Sequence, residues 1–300
     1  RRYDELVFDP SGRCPRTSYN LFKGLSVEPV AGECELYLRH IKEIICAGDQ
    51  ALYDYVMGWM AHAIQRPTEL PDVALVLRGS QGTGKGTFAK HFGKIFGDHF
   101  QHLVHMDHLL GKFNAHLSSA LVVFADEIVW GGNKREEGQL KGIITESRRM
   151  MEAKFKDPIL VDNYARFIFA TNEDWAVPTG PKERRYCVLN IDESKAKGRI
   201  YFDAINSEMR NGGVEALMYT LVNLDLSHFN VRLCPVTEGL LQQKQLSLPS
   251  VAQWWHDILI EGDNCVSVEK YTRPREVVDT SILSIALFEI YQEFTKGDRY

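Results

Sequence analysis

Long apolar runs are missing from this chain: no stretch approaches the roughly 18 consecutive residues that a membrane-spanning helix requires, so a soluble, cytoplasmic protein is expected. A basic excess is missing too, since 35 Lys and Arg are outnumbered by 40 Asp and Glu for a formal net charge of −5. A dedicated nucleic-acid-binding domain usually carries a positive surplus, so any such contact has to come from a local cluster. Cysteine is scarce and scattered, at Cys14, Cys34, Cys46, Cys187, Cys234 and Cys265, with no C-x-x-C pair. These read as reduced core thiols, not as a disulfide framework or zinc ligands. Low-complexity segments and internal repeats are absent. What remains is the composition of a globular protein of two or three domains, large enough for a substantial core. The chain opens Arg1-Arg2-Tyr3 and stops at Tyr300 inside what reads as a folded segment, so a piece of a longer polypeptide is expected.

The feature that points most sharply to chemistry is Gly79-Ser80-Gln81-Gly82-Thr83-Gly84-Lys85-Gly86-Thr87-Phe88, set between an apolar strand, Val73 to Leu77, and a helical pattern of Phe88, Phe92, Ile95 and Phe96. Glycines let a backbone curl so that successive N–H groups face a phosphate chain, and the following helix N-terminus adds partial positive charge. Lys85 is then placed to reach the β- and γ-phosphates. The match to G-x-x-x-x-G-K-[ST] is incomplete, because Gly86 stands where a Ser or Thr normally holds Mg²⁺. Either Thr87, one position later, or a water fills that place.

Along the chain, Glu35 to Gln65 carries apolar residues at helical spacing (Leu38, Ile41, Ile44, Ile45, then Leu52, Val56, Trp59, Met60 and Ala63), with a break at Gly48-Asp49. From Val73 to about Ile191, short apolar runs alternate with helical stretches, the signature of an α/β domain with a mainly parallel sheet. Strands are predicted at Val73 to Leu77, Leu121 to Ala125, Arg166 to Ala170 and Tyr186 to Ile191. A helical pattern resumes to Val222, interrupted at Gly212-Gly213. Helices around Val251 to Ile260 and from Ser281 onward, with Leu283, Leu287, Ile290 and Phe294 at core spacing, predict a small C-terminal domain, with a truncated winged helix as one candidate fold. The expected division is a helical N-terminal oligomerisation module over 1–70, an NTPase domain over 71–233, and a linker with the C-terminal domain over 234–300.

Hydrolysis of a nucleoside triphosphate calls for acids at the end of a second buried strand, and Leu121-Val122-Val123-Phe124-Ala125-Asp126-Glu127 supplies them 41 residues after Lys85. Asp126 would anchor Mg²⁺, and Glu127 would orient or deprotonate the attacking water. A third strand ends at Asn172, which could hydrogen-bond the γ-phosphate or that water. Arg184 and Arg185, twelve and thirteen residues further on, are both candidates for an arginine finger reaching a phosphate in a neighbouring subunit. His99, His102, His105 and His108 recur every three residues, but three-residue steps drift around a 3.6-residue helix, so a packed or hydrated cluster is expected instead of a metal face.

The order of these motifs resembles that of the superfamily 3 helicases, the AAA+ group of small viruses, phages and mobile elements, and in detail the helicase module of phage and mobile-element primase-polymerases. The similarity extends to Asn20-Leu21-Phe22-Lys23-Gly24, Gln65-Arg66-Pro67, Gly111-Lys112-Phe113-Asn114 and Trp254, and is densest from about Asn20 to Asp192. It implies an AAA+ P-loop ATPase core, ATP and Mg²⁺ bound between the subunits of a homo-hexameric ring, a linked primase-polymerase portion, and a hairpin that tracks single-stranded DNA. Lys141 to Glu146 and Met151 to Lys156 fall where that hairpin is expected, making Lys141, Lys154, Phe155 and Lys156 candidate DNA contacts, since cations beside an aromatic ring suit phosphates and stacked bases. The leading reading is a ring-forming, ATP-driven DNA helicase. A nucleotide kinase of adenylate-kinase type and a non-translocating NTPase switch are the alternatives.

Overall fold

The computed structural model describes residues 3–127, 134–180, 182–261 and 291–292. The helix predicted from Ser281, together with Cys265 and Pro181, lies outside the described residues. Residues 1–243 form one compact unit and 244–300 a second.

The first unit is built on five parallel strands: β3 (Ala74–Arg78), β4 (Phe100–Leu103), β5 (Val122–Ala125), β8 (Arg166–Thr171) and β9 (Tyr186–Asn190), ordered β4-β5-β8-β3-β9. Leu75, Val76, Leu77, Val122, Val123 and Phe124 are all buried, because helices cover both faces of the sheet and a parallel strand then has no polar side. Four of these strands fall where the apolar runs predict them. The edge strand β4 was not predicted, because Phe100-Gln101-His102-Leu103 buries only Leu103 and carries no apolar run. Two short pairs lie outside the sheet, parallel β1 (Glu5–Val7) with β2 (Ser18–Asn20), and the antiparallel hairpin β6 (Arg148–Met151) with β7 (Ile159–Asp162).

The helices are α1 (Glu35–Arg39), α2 (Gln50–Gln65), α3 (Lys85–Gly93), α4 (Met106–Leu110), α5 (Lys134–Thr145), α6 (Arg199–Glu208), α7 (Val214–Val222), α8 (Glu238–Leu246) and α9 (Ser250–Glu261). None of the described helices is long and apolar enough to cross a membrane. The predicted break before α2 is a left-handed Gly48, at φ +81°, followed by Asp49, whose carboxylate accepts the Leu52 N–H at 3.0 Å. Helix α2 is buried continuously from Tyr55 to Ile64, and its Trp59 donates an indole N–H to Val73 O at 3.0 Å. Trp59, Met60, Leu75, Leu77 and Phe92 belong to one apolar cluster, so α2 shares the core of the sheet. Within the second unit, Trp254 packs against Trp255 and Tyr291, with ring centroids 6.2 and 5.5 Å away.

One buried cation fixes the sheet to α2. Arg166, at the start of β8, is 1% exposed and donates to Arg66 O and Glu69 O at 2.7 Å each and to Pro67 O at 3.3 Å. Burial pushes its guanidinium down to about 9, yet it remains charged at neutral pH because these carbonyls replace its water.

Two buried histidines make the fold acid-sensitive. Between α1 and α2 a π-helical segment, His40–Ile45, carries His40, which burial pushes down to about 4; His62 on α2 is pushed down to about 3 by burial and by the nearby Arg166, Arg66 and Arg232. Both are neutral in the fold but bind a proton in the unfolded chain below about pH 6.5. Their contribution is therefore complete above that value and is lost as the pH falls towards 4 and 3, on the order of 3 kcal/mol for His40 alone. The urea unfolding midpoint should drop clearly between about pH 7.5 and about pH 4.5, and an unchanged midpoint would contradict this account.

Candidate nucleotide site

The glycine-rich segment leaves the C-terminal end of β3 and enters α3 at Lys85. Gly82 and Gly84 have φ of +84° and +94°, a region closed to most side chains. A Cβ at Gly84 would also sit 2.7 Å from both His40 Nε2 and Phe202 Cε1, so both side chains pack closely against the loop. His40 Nε2 lies 3.2 Å from Gly84 O, and its Nδ1 lies 3.1 Å from the Tyr201 hydroxyl. A strap after β9 also holds the loop: the Ser80 N–H donates to Glu193 Oε1 at 2.9 Å and the Lys197 N–H donates to Gly82 O at 3.0 Å. Sequence reading missed His40, Glu193, Tyr201 and Phe202. No spacing signals them, because they reach the loop from separate elements.

Lys85 is only 7% exposed. Its ammonium donates to Gly79 O at 2.5 Å, Ser80 O at 2.9 Å and Asn172 Oδ1 at 2.8 Å. Burial lowers its pKa, while the negative charges of Asp126, Glu193 and Glu127 oppose that shift. The strand order explains the geometry. Because β8 lies between β3 and β5, Asn172 at the end of β8 stands between the lysine and the two acids at the end of β5. Asp126 is half-buried, with His102 Nε2 3.4 Å from Oδ2 and the His102 ring stacked on Phe124. Glu127 is exposed and has φ +56°, an uncommon conformation of the kind that concentrates at functional sites. Lys85, Thr87, Asp126, Glu127 and Asn172 all line one cavity of about 530 Å³.

The four histidines do not form a helix face: His99 closes a 3₁₀ turn, His102 lies on β4, His105 precedes α4 and His108 lies within it. Among the described residues no group of three or more His, Cys, Asp or Glu could hold a metal ion.

Arg184 and Arg185 are not brought to this cavity. They precede β9 at the opposite end of the sheet, where Arg185 O accepts the Ala74 N–H at 2.8 Å, about 16 Å of strand from the loop. Their environments differ. Arg185 pairs at 3.1 Å with Glu183, a buried carboxylate that also takes the Arg184 and Arg185 N–H groups and, at 3.2 Å, the Lys141 ammonium. Burial pushes Glu183 up, but the Arg185 N–H and the two cations outweigh it and leave the carboxyl below its ordinary value. Arg184 is exposed, and among the described residues its guanidinium has no ion pair.

The hairpin expected from Lys141 onward begins later. Leu140, Ile143 and Ile144 set a helical period that buries one face of α5, so Lys141 lies on that helix, paired with Glu137 at 2.5 Å and with Glu183. Of the four candidate DNA contacts it alone is not on the hairpin. Lys154, Phe155 and Lys156 occupy the connection between β6 and β7, with Phe155 94% exposed at φ +65°. Asn114 anchors the end of β6 that leads into this connection, donating to Met150 O at 3.0 Å and accepting the Glu152 N–H at 2.9 Å. The Gly111-Lys112-Phe113-Asn114 segment thus has a structural task.

Residues 77–185, from the end of β3 to Arg185, match a protein family of unknown function, DUF5906. Over 305 residues the chain is 24% identical to the DNA primase-polymerase of Nitratiruptor phage NrS-1, covering 93% of this chain and 41% of that protein. It therefore spans about two-fifths of the relative's length. A solved apo structure of the NrS-1 C-terminal region, residues 305–718, matches with a TM-score of 0.74 at 21% identity, covering 97% of this chain and 72% of the other. A second apo structure of that region, in its A form, matches with a TM-score of 0.73, again at 21% identity and with the same coverage. The chain is homologous to this phage primase-polymerase and has the α/β fold of its C-terminal region.

Proposed function

We propose that the chain is the ATP-driven motor of a phage or mobile-element replication protein, a ring-forming DNA helicase whose hydrolysis site is completed by a neighbouring copy. The observation that carries this reading is the convergence of Lys85, Asp126, Glu127 and Asn172 on one cavity at the C-terminal ends of three adjacent parallel strands. That edge is where open α/β sheets bind ligands. Homology to a primase-polymerase supports a replication setting, with a primase portion linked to this one.

In this reading the loop amides and Lys85 hold the β- and γ-phosphates, Asn172 passes from the lysine to the γ-phosphate, and Glu127 takes a proton from the attacking water. The oxygen donors present fit Mg²⁺, a hard cation that commonly takes one or two protein oxygens beside phosphate and water. The Asp126 carboxylate and the Thr87 hydroxyl would hold it. Gly86 supplies no oxygen, and a Cβ there would meet nothing closer than the Lys90 side chain at 3.8 Å, so the missing hydroxyl is not a steric necessity. When bound, Mg²⁺ neutralises charge on the phosphates.

The load is single-stranded DNA at the hairpin tip, where Lys154 and Lys156 would meet phosphates and Phe155 a base face. Stacking of this kind is worth about 1–3 kcal/mol per base. Phe155→Ala should therefore weaken binding to an oligothymidine strand by roughly 5- to 100-fold in fluorescence anisotropy. The decisive assay combines ATP hydrolysis with strand displacement on a forked duplex. DNA-stimulated turnover with unwinding is expected; turnover without unwinding would favour a switch, and phosphoryl transfer to AMP exceeding hydrolysis would make the protein a kinase.

A further inference from the structure

Lys85 is not the only cation on the cavity wall. From the loop the cavity runs along one face of α3, past His91, to Phe202 and Asn206 on α6, and three lysines, Lys85, Lys90 and Lys94, line it against two carboxylates, Asp126 and Glu127. Lys85 is already held by two loop carbonyls and Asn172. Lys90 is exposed, and among the described residues its ammonium has neither an ion pair nor a hydrogen-bond partner. We propose that Lys90 is a second phosphate-binding cation, which reaches the triphosphate over Gly86 and brings charge to the side where the usual Ser or Thr would hold a metal ion; the proposal rests on the reading of the cavity as a nucleoside triphosphate site.

The geometry of α3 brings Lys90 there. Helix side chains lean toward the helix N-terminus, so a long one covers the residue four positions before it. For Lys90 that residue is Gly86, in the first turn of α3. With no side chain between them, the lysine lies across the turn, its Nζ and Cε 3.8 and 3.9 Å from where a Cβ at Gly86 would stand. A serine at position 86 would hold Mg²⁺ roughly 3 Å from its Cβ, one C–O bond and one Mg–O distance of about 2.1 Å away. The ammonium thus stands at nearly the distance from residue 86 at which a hydroxyl there would place its cation.

Charge gives the contact its consequence. A triphosphate carries negative charge on each phosphoryl group, and an unpaired ammonium beside the loop can meet it with a charge-assisted hydrogen bond. A lysine and a divalent ion that neutralise the same oxygens each reduce the charge left for the other. Loss of Lys90 should therefore weigh most when Mg²⁺ is absent.

Titration calorimetry on the full chain tests this with ATP and with inorganic tripolyphosphate, each in Mg²⁺ and in EDTA. In EDTA, Lys90→Met, which keeps the length of the side chain and removes its charge, should bind both ligands about tenfold more weakly than the parent; in Mg²⁺ the loss should shrink to about threefold or less. Lys90→Arg keeps the charge and should recover most of the binding. Lys94→Met, four residues further and about 6 Å along the helix axis, should change either affinity by less than about threefold. If Lys90→Met binds in EDTA as the parent does, or no more weakly than Lys94→Met, the second cation is wrong, and loss of binding in Lys85→Ala would leave the nucleotide reading standing. If the parent fails to bind tripolyphosphate, or Lys85→Ala binds it as the parent does, both fall together.

Discussion

Arg184→Ala is expected to hydrolyse ATP at about 10⁻³ to 10⁻⁵ of the parent rate, the range over which a trans-acting arginine finger contributes, whereas Arg185→Ala should behave chiefly as a structural variant. The asymmetry comes from Glu183, which holds Arg185 in a pair at 3.1 Å and leaves the Arg184 guanidinium exposed. Neither arginine can serve its own loop, since they stand at opposite ends of the sheet. A two-subunit site makes a further demand. Mixing Arg184→Ala with Lys85→Ala, each inactive alone, should restore activity, because an interface between the two unites an intact loop with an intact arginine. Phosphate release measured across mixing ratios checks this. A flat line at zero would place the finger elsewhere, and a fully active Arg184→Ala would exclude it from the site.

Lys85→Ala should lower the hydrolysis rate by about 10² to 10³ or more, the loss expected when a charged donor aimed at transition-state charge is removed from a water-poor site. Lys85→Arg should not rescue it. The ammonium fits among Gly79 O, Ser80 O and Asn172 Oδ1 in a setting only 7% exposed, and a planar guanidinium has another shape and reach. The variant should fold, because the lysine is desolvated and its removal also relieves that cost. Circular dichroism melts would then be close to those of the parent while steady-state phosphate release collapses. A variant that hydrolysed ATP as fast as the parent would remove Lys85 from the site.

Much of the fold was legible because its strands are short apolar runs bounded by turn residues and buried on both faces. Leu75-Val76-Leu77 and Phe167-Ile168-Phe169 can hardly be anything else between helical patterns. The edge strand β4 was not legible, because one buried leucine among Gln and His gives no period. The hairpin was visible only through resemblance to known helicases, and its start was misplaced over Lys141. There the periodicity of Leu140, Ile143 and Ile144 carried the correct helical reading. Three groups of the site were legible, since Lys85 closes a glycine-rich loop and Asp126 and Asn172 stand just past apolar strands. His40, His91, Glu193, Phe202 and Asn206 were not, since their distance in sequence from the loop hides their nearness in space.

By itself the sequence determined the residue types and their order along the chain: a glycine-rich loop with one lysine, an acidic pair, an asparagine, a twin arginine. Local chemistry sets these, because φ above zero at Gly82 and Gly84 and an apolar run before each polar end leave a trace in adjacent residues. Only the tertiary structure decided that β8 separates β3 from β5 and so puts Asn172 between lysine and acids. It alone showed that Glu183 occupies one arginine and leaves the other exposed, and that α6 closes the far end of the cavity. Strand order and long-range pairing depend on how distant segments pack together, and nothing in the spacing of neighbouring residues records that.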